Sequence, residues 1–201
     1  MVKRLHQIDL FRKYPGEVQA ECFSMLIDSG KETEFGQKHG FDTIRNYDDF
    51  IRNVPVQTYE TLKPWIERTR KGEQHLLWPT EVKWFAKSSG TTNDKSKFIP
   101  VTEESLKDCH YKAGKDMITL YCSNYPDHQL FTGKNLALGG SHHTDEYDNY
   151  ESYQGDVSAI VIQNLPLWAD LFRAPNVDIA LMSEWNEKLL KIAETTKDEN
   201  V

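Results

Sequence analysis

The sequence predicts an α/β fold, because helical patterns and short strand-like runs alternate around one polar loop. Before this loop, Val82, Trp84 and Ala86 recur at every second position, which is the spacing of a strand. After it, residues 97–101 form a second short apolar run. Pro100 in this run lacks an N–H group and therefore suits a strand end or edge. Apolar residues at helical spacing, both before and after the loop, predict the helices of the fold.

The remaining elements are predicted from periodicity and from residues that start or stop helices. In chain order they are helices at 16–29, 47–53, 59–71 and from Thr102 to about 121, a strand at 136–138, a polar loop at 139–156, an apolar run at 157–162 and a helix at 179–193. Gly30 and Gly72 follow two of these helices, and Thr102 is a suitable N-cap for the fourth.

Composition excludes several classes of protein. Thirty-one acidic residues against twenty-four basic ones give a net charge of −7, which does not predict a nucleic-acid-binding surface. Residues 1–15 lack the apolar core of a secretory signal, and no run approaches the roughly 18 apolar residues of a membrane span. Three widely spaced cysteines predict reduced, buried thiols rather than disulfides. We therefore expect a soluble, cytoplasmic protein with no membrane partner.

The loop between the two strands carries the groups that bind a polyphosphate. Gly90 allows close backbone approach, and Lys95 and Lys97 bring positive charge. The hydroxyl donors are Ser88, Ser89, Thr91 and Thr92. Taken alone, this composition favours a polar turn over a phosphate site. A Walker-type loop is excluded, because the loop has one glycine and leads into a strand instead of a helix.

Segment 88–92 followed by Lys-x-Lys resembles the first ATP-binding motif of acyl-adenylate-forming enzymes. Three further segments, at 33–41, 54–60 and 138–141, occur with it in a fixed order. Together they resemble the Gretchen Hagen (auxin-responsive promoter) family of acyl-acid amido synthetases. The resemblance extends over nearly all of the chain, and the motif sequences are closer to those of the bacterial members. The resemblance implies the N-terminal part of the large domain of an adenylate-forming, luciferase-like enzyme.

The resemblance also implies a reaction and a set of roles. A carboxylic acid would attack the α-phosphate of ATP with Mg²⁺, and an amine, usually of an amino acid, would displace AMP to form an amide. Thr91 and Lys97 are implied as catalytic. The residues implied to bind the phosphates are Ser88, Ser89, Gly90, Thr91 and Thr92, with Lys97 or Lys95 supplying charge. Asp94 departs from the second glycine of many members, which puts the geometry at 93–95 in question.

Two nucleotide motifs that the resemblance implies, Tyr-x-x-Ser-Glu and Tyr-Arg-x-Gly-Asp, do not occur in residues 1–201. We therefore expect a helical start at 1–75 and a phosphate-loop and α/β segment at 76–201, without the C-terminal domain. Such a piece is expected to be inactive alone and to self-associate through exposed surface. Two alternatives stay open: a non-catalytic structural piece that needs a partner chain, and an acyl-CoA ligase parent.

Two other clusters attract chemical interpretations that the sequence does not support. His142 and His143 with nearby acidic residues suggest a metal site, but no second ligand pair has the spacing of a zinc site. We therefore predict no metal-binding residues and a solvated loop. A lid over the substrate pocket is the alternative. Cys109 and His110 are neighbours on a predicted helix, about 100° apart, and cannot act together as nucleophile and base.

Overall fold

The structure, a computed structural model, describes residues 2–88, 96–147 and 150–201. The chain divides into two compact units. Unit 1 consists of Met1–Lys83 and Pro100–Asn124, and unit 2 of Trp84–Ile99 and Tyr125–Val201. The boundary expected near residue 75, between a helical start and an α/β segment, stays a prediction. Among the described residues, no helix combines the length and apolar character that a membrane span requires.

Unit 1 is helical. Its helices are α1 (Val2–Lys13), α2 (Pro15–Gly30), α3 (Glu34–Lys38), α4 (Tyr47–Asn53), α5 (Tyr59–Arg70) and α6 (Lys112–Asn124), with a 3₁₀ turn at Phe41–Thr43 and a π-helical segment at Ser105–Tyr111 that leads into α6. The helices predicted at 16–29, 47–53, 59–71 and after Thr102 are confirmed. The Ser105 amide donates to Thr102 Oγ1 at 3.0 Å, and the Thr102 amide donates to Ser105 Oγ at 3.1 Å, so the predicted cap is confirmed as a reciprocal one.

Helical spacing of Val18, Cys22, Met25 and Leu26 predicts that these residues form the buried side of α2, and the structure differs. Met25 is 56 % exposed and Leu26 49 % exposed, while Ile27 and Gly30 are buried. The prediction that thiols are buried is wrong for Cys22 and Cys109, which are exposed, whereas Cys122 is buried; all three are free. Surface helices commonly expose some apolar side chains in addition to those that pack against the core. Self-association through such exposed surface stays a prediction.

A buried ion pair joins the first and last helices of unit 1. Arg4 on α1, 8 % exposed, donates to both carboxylate oxygens of Asp116 on α6. The hydrogen bonds and charge of Arg4 hold the pKa of the Asp116 carboxyl below its ordinary value of 3.8, although partial burial opposes this shift. The paired, charged form of Asp116 therefore stabilises the helical unit.

Replacing Asp116 by asparagine is expected to destabilise unit 1 by about 2–3 kcal/mol at neutral pH, because it leaves a mostly buried guanidinium without its counter-charge. The pKa of Asp116 is lower in the folded state, so its contribution is complete above the unfolded pKa of about 4 and is lost as the pH falls through the folded pKa. Urea denaturation of both proteins between pH 7 and pH 2 measures this. A difference that stays constant down to pH 2 would contradict it.

Unit 2 contains the sheets. Its elements, with the β2 strand at the unit boundary, are β1 (Trp84–Lys87), β2 (Phe98–Val101), β3 (Asn135–Leu136), β4 (His142–Tyr147), β5 (Tyr150–Gly155), α7 (Val157–Gln163), α8 (Leu167–Asp170), β6 (Arg173–Ala174), α9 (Val177–Ala180) and α10 (Trp185–Thr196). The larger sheet has the order β2-β1-β5-β4, and β3 pairs in parallel with β6. The predicted strands on either side of the polar loop are confirmed, and Pro100 lies on an edge strand.

Two predictions for the second half of the chain are wrong. The loop predicted at 139–156 contains the antiparallel hairpin of β4 and β5, paired from His142↔Gly155 to Tyr147↔Tyr150. The helix predicted at 179–193 is divided into α9 and α10. The apolar run at 157–162, for which no element type was predicted, forms α7. Adjacent side chains in a strand point to opposite faces, so His142 and His143 do not form a flexible loop or lid.

Candidate active site

The predicted phosphate loop leaves the sheet at a closed strand pair. The Ser88 amide donates to the Lys97 carbonyl at 2.9 Å, and the Lys97 amide donates to Ser88 Oγ at 3.1 Å. These bonds fix the two points where the loop begins and ends. The Ser88 hydroxyl thus accepts one bond from the chain itself and keeps its own proton for another acceptor.

The structure therefore brings together two of the predicted site residues, Ser88 and Lys97. The others lie outside the described residues: Ser89, Gly90, Thr91, Thr92 and Lys95, together with Asp94. Their proposed roles stay predictions from the resemblance.

The register of the sheet shows what else lies beside Ser88. The parallel strands β1 and β5 place Ala86 opposite Gly155, and the antiparallel pairing of β4 with β5 places Gly155 opposite His142. Ser88 lies just beyond the end of β1, and Asp156 lies just beyond the end of β5. Since β4 runs in the opposite direction, the residues before His142 lie at the same edge. This is the carboxyl edge of the parallel strands, where open α/β sheets bind ligands.

Asp156 is held in place at this edge by its role as the N-cap of α7. Its Oδ1 accepts the Ala159 amide at 2.7 Å and the Ser158 hydroxyl at 2.6 Å. Gly140 lies against the same carboxylate, since a Cβ on Gly140 would fall 1.6 Å from Asp156 Oδ2. The Gly140 amide also approaches Ser158 Oγ at 3.4 Å. Only a residue without a side chain fits this contact.

An aromatic cluster covers one face of the sheet behind the edge. The rings of Trp84 and Tyr153 are stacked at 4.8 Å, and His142 meets Trp84 edge-on at 6.1 Å. His142 Nδ1 is buried and has no hydrogen-bond partner within the described ranges. In the same part of the chain, no group of three or more histidine, cysteine or acidic side chains is arranged to hold a metal ion.

The family model for the GH3 family N-terminal domain matches residues 4–201. The chain belongs to the GH3 family. This confirms the family resemblance that the motifs predicted, and the match includes the strand pair that carries the loop.

Curated relatives of this GH3 chain are plant amido synthetases. It is 32 % identical over 106 residues to an indole-3-acetic acid-amido synthetase of Arabidopsis thaliana, GH3.2, covering 52 % of this chain and 19 % of the relative. It is 27 % identical over 104 residues to the jasmonoyl–L-amino acid synthetase JAR4 of Nicotiana attenuata, covering 51 % and 18 %. The matched region is thus less than a fifth of each relative's length.

Solved structures share the fold. A GH3.15 acyl acid amido synthetase superposes with a TM-score of 0.77 at 17 % identity, covering 96 % of this chain and 33 % of that enzyme. The same enzyme in complex with 2,4-DB gives a TM-score of 0.70 at 20 % identity, covering 86 % and 30 %. The predicted fold class is confirmed: the chain has the fold of one part of this acyl acid amido synthetase and spans about a third of its length.

Sequence reasoning did not identify the partners of Ser88 at this edge. Asp156 carries a local signal, because an aspartate before an apolar run with a helix-forming continuation is typical of an N-cap. Gly140 was recognised only through the family resemblance. That both lie at the same sheet edge as Ser88 depends on the pairing of β5 with β1, which no local pattern indicates.

Proposed function

We propose that this GH3 chain supplies the phosphate-binding part of an ATP-dependent acyl-acid amido synthetase. In this reaction a carboxylate oxygen attacks the α-phosphorus of ATP, the bond to the pyrophosphate leaving group breaks, and an acyl-adenylate forms. The nitrogen of an amine, such as an amino acid, then attacks the acyl carbon and displaces AMP. The family match over residues 4–201 carries the proposal.

The sheet edge supports the first step. Negative charge grows on the pyrophosphate as it leaves, and donors held in place beforehand stabilise such charge best. The bonds between Ser88 and Lys97 hold the two ends of the loop at the edge of the sheet, where the Ser88 hydroxyl proton is available to an acceptor. Thr91 and Lys97 are proposed to contact the transferring phosphates.

Mg²⁺ would neutralise charge on the phosphate oxygens when bound. The site chemistry fits such an ion, which takes one or two carboxylates and completes its shell with water and phosphate oxygens. Asp156 is exposed at the same edge, and its Oδ2 has no hydrogen-bond partner among the residues that the structure describes. Asp156 is the residue that would hold the ion.

Lys97→Ala tests the proposal in this chain. Loss of a charged donor to phosphate is expected to weaken Mg·ATP binding about 10- to 100-fold, as measured by calorimetric titration. Carboxylate-dependent ATP–pyrophosphate exchange measured alongside shows whether the chain also adenylates. Lys107→Ala, which removes an exposed lysine paired with Glu103 on the helix after β2, is the matched control and should bind as the wild type does.

The outcomes separate the candidate functions. Wild-type binding that Lys97→Ala abolishes and Lys107→Ala preserves supports the proposal. Equal affinity in all three proteins would remove the loop from nucleotide binding. If the wild type does not bind Mg·ATP, the result supports the alternative, a non-catalytic structural piece.

A further inference from the structure

We propose that segment 139–141 forms a second wall of the nucleotide site, and that Lys188 is the positioning residue that holds this segment at the same sheet edge as Ser88. The inference rests on the proposed function for its ligand. It rests on the geometry of unit 2 for the role of Lys188.

Lys188 is an unusual residue to find in the interior. It lies on α10 and is 1 % exposed, and its ammonium group donates to the Gly139 carbonyl. The ring of Trp185 lies 5.5 Å from the same nitrogen. Burying an ammonium is costly, and an apolar side chain of similar volume would stabilise such a position as well or better. The hydrogen bond to Gly139 is therefore what this lysine provides and an apolar residue would not.

Gly139 is fixed from several sides. Its amide donates to the Ala180 carbonyl at 3.2 Å, while its carbonyl accepts from Lys188. A Cβ on Gly139 would lie 2.7 Å from the side chain of Leu181 and 2.9 Å from that of Ile162. Both polar groups of this glycine are thus bonded, and its Cα is packed against two helices.

The next two residues, Gly140 and Ser141, connect the fixed Gly139 to the sheet edge. Gly140 packs on the Asp156 carboxylate, as described above, and Ser141 immediately precedes β4. Strands are spaced about 4.8 Å apart, so Ser141 and Ser88, separated by β5, lie roughly 10 Å from each other at one edge. This distance is short enough for one nucleotide to contact both. The Ser141 hydroxyl is half-buried and has no hydrogen-bond partner within residues 2–88, 96–147 and 150–201.

The test compares substitutions in the complete 201-residue chain. Lys188→Met removes the charge at similar length, Lys188→Arg retains a charged donor, and Ser141→Ala removes the hydroxyl. Lys191→Met is the matched control, because Lys191 lies on the same helix in an exposed ion pair with Glu187. Three quantities are measured: the melting temperature, hydrogen exchange of the amides of residues 139–141, and the Kd for Mg·ATP.

We expect Lys188→Met to melt at or above the wild-type temperature and yet to exchange the Gly139 and Gly140 amides about tenfold faster. Its Kd for Mg·ATP is expected to rise at least about tenfold, with partial recovery in Lys188→Arg. Ser141→Ala should raise the Kd about three- to tenfold and leave exchange unchanged, since it removes one hydrogen bond to the ligand. Lys191→Met should match the wild type throughout.

Two results would overturn the proposal. In the first, amide hydrogen exchange at residues 139–141 is the same in Lys188→Met as in the wild type, or it becomes faster throughout unit 2 while the melting temperature falls. Either outcome would mean that Lys188 is only a packing residue. In the second, segment 139–141 loosens but both Lys188→Met and Ser141→Ala bind Mg·ATP as the wild type does. If the wild type binds no Mg·ATP, the proposed function fails, and the exchange comparison still decides the role of Lys188.

Discussion

Replacing Phe85 by alanine is expected to lower the free energy of unfolding of unit 2 by about 3–5 kcal/mol. Phe85 is 0 % exposed, lies on β1 in register with Gln154 of β5, and belongs to a strand on which α7 packs. Its removal leaves a cavity in the centre of the sheet in addition to the lost burial. Ser88 lies three residues further on, so the base of the phosphate loop should loosen as well.

Hydrogen exchange of the β1 and β5 amides, combined with urea denaturation, measures this loss. Phe131→Ala is the matched control, since Phe131 belongs to the same unit, is 44 % exposed and packs edge-on against Phe172 at 6.3 Å. Its substitution is expected to cost less than about 1 kcal/mol. Equal losses in the two variants would mean that β1 is not the packed centre of unit 2.

Gly36→Ala is expected to destabilise unit 1 by about 3 kcal/mol, at the upper end for an overpacked site. A Cβ on Gly36 would lie 2.0 Å from the Gly30 carbonyl oxygen, which is backbone and cannot rotate away. That oxygen already accepts the Thr33 amide at 3.0 Å and the Thr33 hydroxyl at 2.6 Å. The added methyl group must therefore distort the connection between α2 and α3.

The control is a glycine-to-alanine change in the same unit without this contact. Gly114 lies within α6, and a Cβ there would meet no heavy atom within 4 Å. Gly114→Ala should stabilise unit 1 by about 0.5–1 kcal/mol, because alanine loses less backbone freedom in a helix. Melting temperatures of the two variants should thus move in opposite directions. A Gly36→Ala protein as stable as the wild type would show that the connection has room to move.

Local patterns predicted much of this fold. Capping side chains act within a few positions at α4, at α5 and at the helix after Thr102, and Val82, Trp84 and Ala86 show the spacing of a strand although Phe85 interrupts it. Local patterns do not predict the hairpin of β4 and β5, because residues 142–155 are mostly polar. The pairing of β5 with β1 stabilises strands that this composition alone does not favour. Such tertiary pairing overrides a weak local preference.

The candidate site divides in the same way. The loop and its hydroxyls were visible in the sequence, whereas the proximity of Asp156 and Gly140 to Ser88 follows from strand register. Lys188 did leave a signal. It occupies the same helical stripe as Trp185, Leu189 and Ile192, and a charged residue at a position spaced for the interior indicates a buried polar contact.

The parallel ladder between β1 and β5 also bears on how the chain folds. It joins Trp84 to Tyr153, so its formation must close a long loop, whereas the β4–β5 hairpin closes a short one. During synthesis, β1 emerges from the ribosome well before the strand it pairs with. The ends of the phosphate loop can meet early, but the sheet is completed only when the late hairpin docks. Until then β1 presents an unpaired edge, on the side that later pairs with β5, to which a chaperone or a neighbouring nascent chain can bind.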